Sequence, residues 1–145
     1  DGIRDTSVTG VQTCALPICI NGASIPGALW STVGCPYVGD YRRATVIHDI
    51  ACEDETSTSD AVHLMFYYAM RCDGVSAFRA NLMYQSVKRF GPQWGMREGP
   101  EVVREMSSQD VMTLSSAVQL ALDELGEGAD VADIDRRVGE ILTHG

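Results

Sequence analysis

Between residues 40 and 53 the residues Ala44, Ile47, His48, Ala51 and Cys52 fall at i, i+3, i+4, i+7 and i+8, which is one stripe of an α-helix. This stripe turns His48 inward among small neighbours. Asp49 lies about 100° further round, so it borders the stripe rather than joining it. A polar connection, Glu53 to Thr58, leads to a second helix over residues 59–72 that Asp73-Gly74 ends. Val62, Leu64, Met65, Phe66, Tyr68, Ala69 and Met70 cover most of its circumference, which predicts the central, buried helix. Ser76 caps a third helix running to Phe90, with Phe78, Leu82, Met83, Val87 and Phe90 inward and Gly91-Pro92 closing it. Three helices joined by short turns predict a compact bundle.

From Gly91 to Ser107 the chain is rich in glycine and proline, so this stretch reads as a linker holding one helical turn around Val102–Met106. Beyond it Ser107 and Asp110 have capping-box spacing, and Val111, Leu114, Val118, Leu122 and Leu125 repeat at helical intervals up to Gly126. Asp130 opens a last helix in which Val131, Ile134, Val138 and Ile141 repeat in the same way. The two form an antiparallel hairpin. The fold expected is therefore mainly α, a small three-helix bundle core with a C-terminal helical hairpin. Its divisions are residues 19–94 as a helical domain, 95–107 as the linker and 108–145 as the hairpin.

Composition narrows the function classes. The chain has 145 residues, 45% of them hydrophobic, which suits one globular domain. The formal charge of −9 argues against nucleic acid as a partner, because phosphate contacts need clustered cations. Residues 91–145 carry four Lys+Arg against eleven Asp+Glu, so the acid is concentrated on the outer face of the hairpin. No apolar run approaches the length of about 20 residues that a membrane-spanning helix needs. No basic-then-apolar leader is present, so the expected location is cytoplasmic in a bacterial host, or on a virion.

Residues 1–18 stand apart. DGIRD, two further residues and VTGVQTCALPI resemble the in-frame translation of a sequencing adapter, an artefact to be kept out of fold reasoning. Cys14 lies in that string and Cys19 at its junction. Cys35, Cys52 and Cys72 remain, without C-x-x-C pairing, and read as reduced thiols, Cys52 and Cys72 packed in the core.

The one constellation with chemical potential is His48-Asp49 on the first helix with His63 and Asp60 on the second, near the loop Asn21-Gly-Ala-Ser24-Ile-Pro. Imidazole takes and returns protons near neutral pH. Helices that cross would bring His63 to His48, while Asp49 points to a loop amide or to Arg42 or Arg43. In the bland reading, His48 and Asp49 tie their helix to the loop through buried hydrogen bonds with Asn21 and Ser24. His48 and Cys52, at i and i+4 on one face, also make a zinc site geometrically possible. A Ser24 nucleophile with His48 as base is a further arrangement, although no nucleophile-elbow glycine pattern surrounds Ser24.

Several motifs together resemble a known family. Asn21-Gly-Ala-Ser-Ile-Pro, Leu29-Trp30, Ala44 with His48-Asp49, Val62-His63 before Met65-Phe66, Ala69-Met70, Gly74-Val75, Met83-Tyr84 with Val87, and Phe90-Gly91-Pro92 are similar in order and spacing to domain of unknown function 1353. The likeness covers residues 20–94. It implies strands before the loop that this chain lacks, a bacteriophage or prophage setting, and phage or host proteins as partners. The loop Asp of the pattern is Asn21 here, and many relatives have Asp where this chain has His63. The His-Asp helix followed by a helix with a polar partner is also similar to the core of phospholipase A2 enzymes. That analogy implies His48 activating water, Asp49 helping to hold Ca²⁺ and His63 in the orienting position. The expected function is thus an accessory or assembly module that needs no cofactor. The alternative is a small hydrolase with catalytic His48, Asp49 and His63, and with Ca or Zn as the metal.

Overall fold

The structure is a computed structural model that describes residues 26–33, 42–94 and 105–145. The protein is mainly helical. A 3₁₀ turn, Gly27–Leu29, runs into the short helix α1 (Trp30–Val33), followed by α2 (Arg42–Asp54), α3 (Ser59–Cys72) and α4 (Ala77–Phe90). The chain ends with α5 (Ser108–Leu125) and α6 (Val131–His144). The loop residues Asn21 and Ser24, the string 1–18, any strands before the loop and Cys35 lie outside the described residues.

The helix ends follow from local chemistry. Thr58 accepts a hydrogen bond from the Ala61 amide at 3.2 Å to start α3, and Ser76 accepts from Arg79 at 3.3 Å to start α4. Asp60 in the first turn of α3 and Arg71 in its last turn complement the helix dipole. Gly74 follows with φ of +88°, a backbone conformation that L side chains rarely adopt. Ser107 and Asp110 form the expected capping box, with Ser107 N–H donating to Asp110 at 2.8 Å and Asp110 N–H to Ser107 Oγ at 3.1 Å. Asp130 caps α6 by accepting from the Ala132 amide at 3.1 Å.

α2 packs on α3, α3 on α4, and α4 on α5, with α5 and α6 forming the hairpin. One buried cluster runs through all of these layers, from Leu29 and Ala44 through Phe66, Met70, Leu82 and Val87 to Leu114, Val118 and Ile134. Two sequence expectations are corrected. The central helix is α4 rather than α3: Ala80 to Val87 is buried without interruption, whereas Met65 and Tyr68 on α3 face solvent. Helix α4 has neighbours on two sides, so even its polar Asn81, Gln85 and Ser86 are enclosed. Gln85 and Ser86 are satisfied there by donating to Asp135 at 2.7 Å and to the Leu82 carbonyl at 2.7 Å.

The second correction concerns α2. Its buried face is Ala44, Thr45, His48 and Asp49, so Asp49 joins the stripe, while Ile47 is 48% exposed. The inward face is turned toward the polar side because His48 is drawn into the α3 interface, where it meets His63 and Phe66. Elsewhere, Glu105–Ser107 is not helical, Leu125 is exposed at the end of α5, and Cys72 lies exposed at the end of α3 instead of in the core.

Candidate functional site

Helix α2 presents His48 and Cys52 one turn apart on the same side, as i and i+4 spacing requires. Helix α3 packs against α2 and presents His63. The third contribution comes from the segment leaving α4. A Cβ at Gly91 would lie 2.5 Å from the Val87 carbonyl oxygen, so glycine permits the tight exit that turns the chain back over α3. The returning segment is pinned at both ends. Gln93 Nε2 donates to the Lys88 carbonyl at 2.7 Å, Trp94 Nε1 donates to the Ser57 carbonyl at 2.6 Å, and Ser59 Oγ donates to the Trp94 carbonyl at 3.0 Å. These contacts hold the Pro92 carbonyl in place above His63.

A chain of hydrogen bonds results. His63 Nε2 lies 3.0 Å from the Pro92 carbonyl oxygen, and His63 Nδ1 lies 2.9 Å from His48 Nε2. A carbonyl only accepts, so the proton of His63 sits on Nε2 and its Nδ1 offers a lone pair. His48 must then donate from Nε2, which leaves His48 Nδ1 as the unprotonated nitrogen. One backbone oxygen thus fixes the tautomers of two imidazoles.

The surroundings keep both rings neutral. His48 and His63 have no exposed surface. The His48 ring stacks on Phe66 with centroids 4.3 Å apart, and Trp94 meets His63 edge-on at 6.0 Å. Burial, and secondarily the neighbouring His63, pushes the His48 pKa down to about 3. Burial also lowers His63, opposed by its bond to Pro92 and by the charge of Asp60. Both rings are therefore neutral at physiological pH.

Cys52 completes a triangle. Its Sγ lies 3.6 Å from His48 Nε2 and 4.0 Å from His48 Nδ1, and one ligand atom from each of His48, Cys52 and His63 can be chosen within 4.8 Å of the others. Among the described residues this is the group able to hold a metal ion. Two nitrogens and a sulfur do not suit calcium, which takes oxygen ligands.

The structure therefore brings together His48 and His63, as the sequence expects, and buries Asp49 at 8% exposure beside them on α2. Asp60 stays at the exposed start of α3 and reaches the site only through its charge. Arg43 pairs with Asp73 at 2.5 Å, a partner the sequence does not suggest. The expected ties of the site to Asn21 and Ser24 fall outside the described residues. Pro92, Phe66 and Trp94 are not legible as site residues from motifs. Phe66 alone had a signal, three residues beyond His63 on the same helical face. A second polar junction joins α4 to α6, where Asp135 accepts from Gln85 at 2.7 Å and pairs with Lys88.

Comparisons with known proteins agree with the motif pattern. Uncharacterized protein y4jT of Sinorhizobium fredii is 42% identical over 87 residues, which are 60% of this chain and 25% of that protein. Uncharacterized protein y4iH of the same organism is 41% identical over 75 residues, 52% of this chain and 31% of that protein. The chain thus spans about a quarter to a third of the length of these relatives. No solved structure matches it. Residues 11–87, just over half the chain and starting within the adapter-like string, match the family described as Protein of unknown function (DUF1353). The order of short motifs and this match agree, and the chain belongs to the DUF1353 family.

Proposed function

We propose that this chain is a non-catalytic accessory or assembly module of phage or prophage type, in which the buried imidazoles lock three segments of the fold together. The observation that carries the reading is the relay from His48 to His63 to the Pro92 carbonyl, which ties α2, α3 and the exit from α4. Both nitrogens of His63 and Nε2 of His48 are used in it. Full burial of both rings supports the same reading, because a base that turns over substrate needs a path for it. In both relatives the matched stretch is a minor part of a longer protein, as expected for a module carried by larger polypeptides. The phage setting rests on the family likeness, with phage or host proteins as partners and the bacterial cytoplasm or the virion as the place of action. No helix among the described residues is long and apolar enough to cross a membrane.

A hydrolytic reading draws on the same pair. His63 holds His48 as an orienting group holds a base, leaving the Nδ1 lone pair for a water. A neutral orienter supplies no charge to stabilise the imidazolium, however, and burial opposes its formation. The two readings separate on His48→Gln, because a glutamine N–H still donates toward His63. In a structural module the variant changes thermal stability, and neither protein hydrolyses phospholipid vesicles. In a hydrolase the wild type turns over vesicles, and the variant loses that activity while keeping its circular dichroism spectrum.

A further inference from the structure

We propose that His48, Cys52 and His63 form a binding site for a borderline-soft divalent cation of the zinc class, a property that goes beyond the structural role above. The ligand atoms are His48 Nε2, His63 Nδ1 and Cys52 Sγ. Their types suit zinc, which is bound by imidazole nitrogen and thiolate and for which such sites are tetrahedral. The spacing can be tested arithmetically. Bonds of about 2.05 Å to nitrogen and about 2.3 Å to sulfur at tetrahedral angles put a nitrogen and a sulfur about 3.5 Å apart, and two nitrogens about 3.3 Å apart. The structure has 3.6 Å between Cys52 Sγ and His48 Nε2, and 2.9 Å between the two imidazole nitrogens. The first separation already fits. The second requires the rings to part by a few tenths of an ångström, which replacement of a hydrogen bond by a cation would itself produce.

Two independent features support the assignment. His63 donates its other ring N–H to the Pro92 carbonyl, and metal-bound histidines are typically oriented by such a partner. Phe66 stacks on His48 and Trp94 meets His63 edge-on, which fixes the ring orientations and supplies the hydrophobic shell that limits solvent access to a metal site. The proton inventory is simple. When the cation binds, the His48 proton moves from Nε2 to Nδ1, the Cys52 thiol loses its proton to solvent, and His63 keeps its Nε2 proton. Three protein ligands leave a fourth position for water or a further donor.

The test uses the full chain with Cys14, Cys19, Cys35 and Cys72 replaced by serine, so that Cys52 is the sole thiol. Titration with Co²⁺ after chelation should give one equivalent bound, a thiolate-to-cobalt charge-transfer band, and displacement of that band by Zn²⁺. In the same background Cys52→Ala and His63→Gln should each weaken Co²⁺ binding by more than the roughly 10- to 100-fold that follows loss of a mere supporting partner. A folded parent that takes up no stoichiometric Co²⁺, or takes it up without the charge-transfer band, overturns the proposal. So does affinity unchanged by Cys52→Ala. Should the serine background fail to fold, the chain with its natural cysteines compared with its Cys52→Ala variant decides the question, since equal uptake by the two overturns the site.

Discussion

Acid should destabilise this protein through His48, and His48→Gln should remove that share of the sensitivity. His48 titrates near 6.5 when unfolded and at about 3 when folded, because burial disfavours its charged form. The unfolded state therefore binds the extra proton first as pH falls. The stability associated with the neutral ring is complete above pH 6.5, declines below it, and is fully lost once pH passes 3. In the linear part of that window each pH unit costs about 1.4 kcal/mol, so the step from pH 7 to pH 5 removes about 2 kcal/mol through His48 alone. Few carboxylates titrate across this step, and those that do are shared by the variant. Glutamine keeps an N–H for His63 Nδ1 but cannot be protonated in this range. Urea unfolding of both proteins at pH 7, 6 and 5, in chelator so that no cation occupies the rings, gives the two slopes. The wild type should lose about 2 kcal/mol more than the variant between the end points. Parallel loss of stability would refute the claim that His48 is held buried and neutral.

Three further outcomes follow from the packing. Gly91→Ala places a methyl group against the Val87 carbonyl, so the exit from α4 must shift; a lowered melting temperature and faster solvent exchange of the His63 Nε2 proton are expected. Ile134→Ala empties a fully buried position on α6 and should cost about 2–5 kcal/mol. Because the core is continuous from α2 to α6, the loss should appear in a single urea transition monitored by circular dichroism, and an early separate transition of the hairpin would contradict this. Tyr84 is pushed up to about 12 by burial and by the charges of Asp135 and Asp60. It favours the folded state below pH 10, and that contribution is lost as pH rises from 10 to 12. An ultraviolet phenolate titration should show a late step from Tyr84, and that step should move down in Asp135→Asn.

Local signals made most of the fold legible. The caps at Ser76, Ser107 and Asp130 and the stops at Gly74, Gly91 and Gly126 are short-range chemistry, and the helices begin and end where those residues place them. The choice of buried face was less legible, because it is decided by neighbours. On α2 the apolar pattern favours Ile47, but the partner helix offers a polar and aromatic surface, His63 and Phe66, on which His48 packs, and the buried face carries Thr45 and Asp49 rather than Ile47. Likewise the apolar surplus of α3 suggests a central helix, whereas burial follows the number of packed neighbours, and α4 has more. At the site, the pairing of His48 with His63 could be anticipated from two helices that must cross. The Pro92 carbonyl could not, since a backbone oxygen carries no residue-type signal. It reaches His63 only through the tight exit at Gly91 and the anchoring of Trp94.

The tautomers of His48 and His63 test the relay most directly. Nitrogen-15 spectra of the imidazoles of the metal-free protein at pH 7 should show both rings neutral and both protonated on Nε2, with the His48 Nε2 proton slow to exchange and bonded to His63 Nδ1. A His48 ring protonated on Nδ1, or one that exchanges freely with water and titrates near 6.5, would contradict the account.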